Sequence, residues 1–150
     1  MKRLILVASV LSFAILSQAQ KETDHWFFGT SAGMDFNSGT PIQEVGAVFS
    51  MNEGSAALST SSGSLRFYTD GMQIWNANHA NMPNGTGLLG NVSSTQSAII
   101  VPNPSNLNEY YVFCVAADGD TAGFTYSIVD MTLDGGLGDV TATKNIFVEG

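Results

Sequence analysis

Apolar positions along the chain fall into two regimes. The first is a single run, Leu4 to Leu16, broken only by Ser9 and Ser12. It follows the positively charged start Met1-Lys2-Arg3 and precedes the small-x-small stretch Ser17-Gln18-Ala19. A charged start, a short apolar core and a small-residue ending make a secretory signal peptide over residues 1–19, with cleavage expected after Ala19. The rival reading, a membrane anchor, fails on length, because a spanning helix needs ~20 apolar residues. No later segment reaches that length, so no membrane insertion is expected of the mature chain.

The second regime is a series of short apolar runs separated by turn residues. All 16 glycines and all 4 prolines lie in it. Short runs punctuated in this way, with no sustained helical period, predict strands throughout. The expected strands are Trp26 to Phe28, Met34 to Phe36, Ala47 to Phe49, Ser55 to Leu58, Leu65 to Thr69 and Met72 to Trp75. Ala98 to Val101, Tyr110 to Ala116, Phe124 to Val129 and Asn145 to Val148 complete the series. Strict alternation would place Leu65 and Phe67 on one face of their strand, and Arg66 and Tyr68 on the other. Asp70-Gly71 between two apolar runs is a hairpin signal. The segment Asn76 to Thr95, rich in Asn and Gly, is too long for a hairpin turn and is expected to be an ordered connecting loop.

The strands repeat. Ser55-Ala56-Ala57-Leu58 and Ser97-Ala98-Ile99-Ile100 stand 42 residues apart, each followed by a polar turn, an aromatic strand and a third strand. A period of ~40–50 residues with three or four strands per unit is the mark of propeller blades. The expected fold is therefore all-β, antiparallel blades of a β-propeller, with residues 20–150 holding about three blades of an incomplete ring that continues beyond them. A β-sandwich whose hairpins look alike is the alternative. Alternation and repeat together nominate Leu58, Phe67, Ile99, Ile100, Phe113 and Ile128 as core. The last blade of an open ring would leave an apolar face bare, lined by Phe124, Tyr126 and Ile128 with Ile146 and Val148 nearby.

Charge narrows the partners. Residues 20–150 keep three basic and thirteen acidic residues, for a net 3 − 13 = −10. Such a surface attracts neither nucleic acid nor anionic lipid. The lone Cys114 sits among apolar neighbours and is expected to be an inert core thiol. A single cysteine excludes an intrachain disulfide framework.

Candidate chemistry is sparse. Gly29-Thr30-Ser31-Ala32-Gly33 fits the G-x-S-x-G pattern, but a nucleophile elbow needs a helix behind the serine, and Met34 onward reads as strand and turn. Asp118-Gly119-Asp120-Thr121-Ala122-Gly123 starts like a calcium loop, yet Val129 stands where a bidentate Glu belongs, so an EF-hand is excluded. Asp118 and Asp120 remain the weak calcium candidates within what otherwise reads as a hairpin turn. Asp134 to Asp139 resembles a fragment of a Gly-rich calcium repeat, occurs once, and reads as a turn. His25 and His79 are read as structural or surface residues, since a zinc site needs three or four converging groups. No cofactor and no catalytic residue is assigned.

Several strings resemble the mature start of large surface proteins of Bacteroidetes. They include His25-Trp26-Phe27-Phe28-Gly29, Ala32-Gly33-Met34-Asp35-Phe36-Asn37-Ser38-Gly39, Glu53-Gly54-Ser55-Ala56 and Phe67-Tyr68-Thr69-Asp70-Gly71. Ile74-Trp75-Asn76, Met82 to Gly90 with Ser94 to Ala98, Tyr126 to Met131 and Gly135 to Val140 extend the likeness over essentially all of residues 20–150. The resemblance implies a multidomain adhesin-like protein with an N-terminal propeller, PKD or immunoglobulin-like modules, and a C-terminal domain read by the type IX secretion system, often labelled gliding-motility-associated. It brings no catalytic residues with it. It also draws attention to Asp120-Thr121-Ala122, which resembles a bacterial O-glycosylation acceptor with Thr121 as the modified residue.

Two function classes follow. One is a non-catalytic cell-surface or secreted binding and scaffold module, whose partners would be the export machinery and a protein or glycan ligand at the cell surface. The other is the opening part of a glycan-active or other hydrolytic propeller enzyme, which would need paired carboxylates facing one channel.

Overall fold

A computed structural model describes residues 20–48, 50–118 and 121–148. The export signal expected over 1–19 lies outside these residues, as do Phe49, Gly119, Asp120, Glu149 and Gly150. The described chain is all-β: three antiparallel sheets, not closed into a barrel. Among the described residues no α-helix is present, and none is long and apolar enough to cross a membrane.

The first sheet holds β1 (His25–Phe28), β2 (Ala32–Asp35) and β3 (Ile42–Gln43). The second holds β4 (Ala56–Ser59), β5 (Leu65–Thr69), β6 (Gln73–Asn76) and β7 (Asn81–Thr86). The third holds β8 (Ala98–Pro102), β9 (Glu109–Val115), β10 (Phe124–Asp130) and β11 (Asp139–Val140), with β12 (Ile146–Phe147) also paired to β10. Apart from β12, strands follow in sequence order within each sheet, so each sheet is a meander of hairpins. The first strands β1, β4 and β8 lie side by side in space, and β7 lies against β11.

The second sheet is the middle layer. On one face Leu58, Phe67, Ile74 and Met82 pack against Ala98, Tyr110, Val112, Cys114 and Val129 of the third sheet. On the other face Tyr68 and Trp75 pack against Phe27 of the first sheet, with Ala47 and Met51 from the segment after it. Phe27, Tyr68 and Trp75 form a stacked column, with ring centroids 4.2 and 5.3 Å apart. Sequence neighbours Phe67 and Tyr68 are thus both buried, on opposite faces, as strand alternation requires.

Alternation fails one residue earlier. Leu58 faces Phe67 but Ser59 faces Leu65, so Arg66 is an extra residue on β5. This bulge turns Arg66 toward Tyr110, with its guanidinium 5.6 Å from the ring centre, while Leu65 packs with the Tyr68 cluster. Leu65 and Phe67 therefore do not share a face as strict alternation expected.

Other expectations are also corrected. Ala47 and Val48 form no strand, although Ala47 is buried and Thr30 and Ser50 form an isolated bridge. Ile42–Gln43 and Asp139–Val140 are strands too short to signal themselves. The supposed loop after Asn76 contains β7, whose Pro83 and Gly85 hide a strand pattern. Proline is tolerated there because β7 is an edge strand, hydrogen-bonded on one side only. Of the six nominated core residues, Leu58 and Phe67 are buried and Ile100 packs partly buried against the first core. Phe113 and Ile128 are half-buried and Ile99 is 47% exposed, because Val112, Cys114 and Val129 carry the inward phase.

Candidate functional site

Two features stand out; the sequence leaves the first unassigned and anticipates part of the second. The first lies where the first two sheets meet. Alternation in β1 turns His25 and Phe27 inward and leaves Trp26 and Phe28 outside. His25 Nε2 then reaches Glu44 Oε2 at 3.2 Å and Asp35 Oδ1 at 4.0 Å. His79, from the β6–β7 turn, approaches the other oxygen, Glu44 Oε1, at 3.8 Å. One carboxylate therefore stands between the two histidines of the chain. Ligand atoms of His25, Asp35 and Glu44 lie within 4.8 Å of one another.

Glycines make this convergence possible. A Cβ on Gly33 would stand 2.9 Å from Glu44 Cβ, and one on Gly46 would stand 2.7 Å from His79 Cδ2. The Glu44 amide donates to the Gly33 carbonyl at 2.9 Å, which fixes the segment after β3. His79 sits at φ +58, a left-handed conformation uncommon outside glycine. The Asn76 side chain holds that turn by accepting from the amides of Asn78 and Ala80.

The other ring nitrogen of each histidine meets a hydroxyl. His25 Nδ1 lies 2.9 Å from Ser59 Oγ, and His79 Nδ1 lies 3.2 Å from the Tyr68 hydroxyl. Burial pushes the Tyr68 phenol up to about 12, and the nearby Glu44 charge adds to the rise, so it remains a neutral hydroxyl.

The second feature is the outer face of the third sheet. Ile99, Phe113, Tyr126 and Ile146 lie in register across four strands, beside Val101, Tyr111 and Ile128. Phe113 and Phe124 stack at 5.5 Å, and Tyr111 meets Tyr126 edge-on at 5.7 Å. The result is one continuous aromatic and aliphatic surface. A pocket of about 320 Å³ opens on it between Ile99, Phe113, Val115 and Phe124. Sequence alternation placed Phe124, Tyr126 and Ile128 on such a face.

The remaining sequence candidates are not brought together. Asp118 is exposed at the β9–β10 connection and belongs to no three-membered ligand set among the described residues; Asp120 lies outside them. Thr121 is exposed in the turn before β10. Ala116 N donates to Gly123 O at 2.8 Å, closing the expected hairpin. Gly29 to Gly33 spans the β1–β2 turn, with Ser31 at φ +51 and a strand behind it. Cys114 is buried, and that burial pushes its thiol up to about 12. The signals that could have found the histidine cluster were the inward phase of His25 and the glycines beside Glu44.

Compared with known proteins, the chain matches no protein family, no curated protein and no solved structure.

Proposed function

We propose that this chain is a non-catalytic binding and scaffold module of an exported, adhesin-like surface protein of the type IX secretion kind, built from propeller-like blades. The observation that carries this reading is the apolar outer face of the third sheet. Monomeric proteins rarely leave a contiguous aromatic surface bare, and such a face marks an interaction site. Its occupant is another antiparallel sheet of the same kind. The stack already runs from the first sheet to the second to the third through apolar faces, and the outer face continues that series. Two further features are those expected of blades. The second and third sheets each run through four strands in chain order, and first strand lies beside first strand from sheet to sheet.

Light scattering on residues 20–150, coupled to size-exclusion chromatography over a range of concentrations, tests the reading. The chain is expected to self-associate as concentration rises. The double variant Ile99→Lys/Phe124→Lys, on exposed positions, is expected to stay monomeric with cooperative unfolding retained. A wild-type chain that remains a monomer at every concentration overturns the proposal.

A further inference from the structure

We infer that His25, Asp35 and Glu44 form a site for one divalent transition-metal ion of the zinc class, with His79 of the second sheet standing at the other oxygen of Glu44.

The donor set has the right chemistry. Imidazole nitrogens with carboxylate oxygens suit zinc and its first-row neighbours, whereas calcium and magnesium prefer all-oxygen sites. The spacing also fits. An ion with bonds of ~2.0–2.2 Å in tetrahedral geometry sets its ligand atoms roughly 3.3–3.5 Å apart. The observed separations are 3.2 Å for His25 Nε2 to Glu44 Oε2 and 4.0 Å for His25 Nε2 to Asp35 Oδ1, with all three ligand atoms within 4.8 Å of one another. Small side-chain adjustments close the difference.

The outer contacts point the same way. Metal-bound histidines commonly use the second ring nitrogen as a donor to a fixed partner. Ser59 Oγ stands at that position, 2.9 Å from His25 Nδ1. In the tautomer whose Nδ1–H donates to Ser59 Oγ, the Nε2 lone pair of His25 faces the Glu44 and Asp35 oxygens. Lone pairs opposed to an anion repel unless a cation stands between them. His25 is buried at 8% exposure, so bulk water does little to screen that repulsion. A metal ion at the Nε2 side of His25 answers it. The ligands come from β1, β2 and the segment after β3, so one ion ties together a sheet of only three short strands, while Ser59 of β4 holds the His25 ring from the second sheet.

The test uses chelator-treated exported chain and zinc alone. Isothermal titration calorimetry is expected to show one ion bound per chain with proton release, weakening as the pH falls because protons compete for the imidazole. The unfolding midpoint is expected to rise with zinc concentration. Cobalt(II) in place of zinc is expected to give the visible absorption of a four-coordinate ion. Ser59→Ala is expected to weaken binding by ~10–100-fold, as loss of an outer partner does. Glu44→Gln, close in shape, is expected to weaken it further while still unfolding cooperatively in zinc-free buffer. Asp35→Asn, close in shape, provides the same comparison if Glu44→Gln fails to fold. Absence of saturable zinc binding, or equal binding by wild type and both ligand variants, overturns the inference and leaves a hydrogen-bonded His–Glu–His chain only.

Discussion

Phe67 and Tyr68 show at the scale of single residues how the second sheet is used. They are adjacent in β5, fully buried, and belong to different cores. Phe67→Ala is expected to cost about 3–5 kcal/mol in denaturant unfolding, as truncation of a closely packed aromatic does. Phe124→Ala, on the open face, is expected to cost well under that. An equal loss at both sites would mean that the outer face is covered in solution. Two buried acids also predict an alkaline limit. Cys114 and Tyr68 are both pushed up to about 12 from ordinary values of 9.0 and 10.0. Above pH ~9 the unfolded chain loses protons that the folded chain retains, so stability is full below pH 9 and falls as pH rises toward 12. Unfolding midpoints at pH 8 and pH 10.5 check this, and Cys114→Ala should shrink the difference between them. The burial of Cys114 was legible from its apolar neighbours. The partners of His25 and His79 were not, since Asp35 meets His25 only through the β1–β2 register, Glu44 follows a strand too short to signal itself, and His79 arrives from the second sheet.

At the scale of elements, the hairpin between β5 and β6 is where local and long-range order meet. Asp70 accepts from the amides of Met72 and Gln73 at 2.8 and 2.7 Å, which closes the turn. Gly71 holds φ +86, and a Cβ there would lie 2.8 Å from the Ser97 carbonyl oxygen. Ser97 Oγ in turn donates to the carbonyls of Gly54 and Asp70, at 2.6 and 2.8 Å, locking the approach to β8 onto the second sheet. Gly71→Ala therefore meets both left-handed strain and a backbone collision. Gly87 has φ +75 but nothing within 4 Å of the added carbon. Thermal unfolding of the two alanine variants is expected to show Gly87→Ala losing roughly 1–2 kcal/mol from strain alone and Gly71→Ala losing clearly more. Equal losses would show that Ser97 moves freely. Asp-Gly made this hairpin readable from sequence. The Arg66 bulge and the strand at Asn81–Thr86 were not readable, because a bulge breaks alternation without a marker residue and an edge strand accommodates proline.

At the scale of the whole molecule, the 42-residue spacing between Ser55 and Ser97 corresponds to the spacing of the second and third sheets. The repeat was legible because each unit is one contiguous meander. The phase of the third sheet was harder to read, since Tyr111, Phe113, Phe124 and Tyr126 make its outer face as apolar as its inner one. The meander order also has a consequence for assembly in time. Every ladder in the second sheet joins strands adjacent along the chain, and the third departs from this only at β12. A chain entering a folding compartment with its N-terminus first can thus close the hydrogen bonds of one sheet before the next has arrived. It cannot bury Phe67 until Tyr110 and Val112 are present, more than forty positions later. Pairing within a sheet is local and docking between sheets is long-range, so each apolar face stays open until the neighbouring sheet has been made.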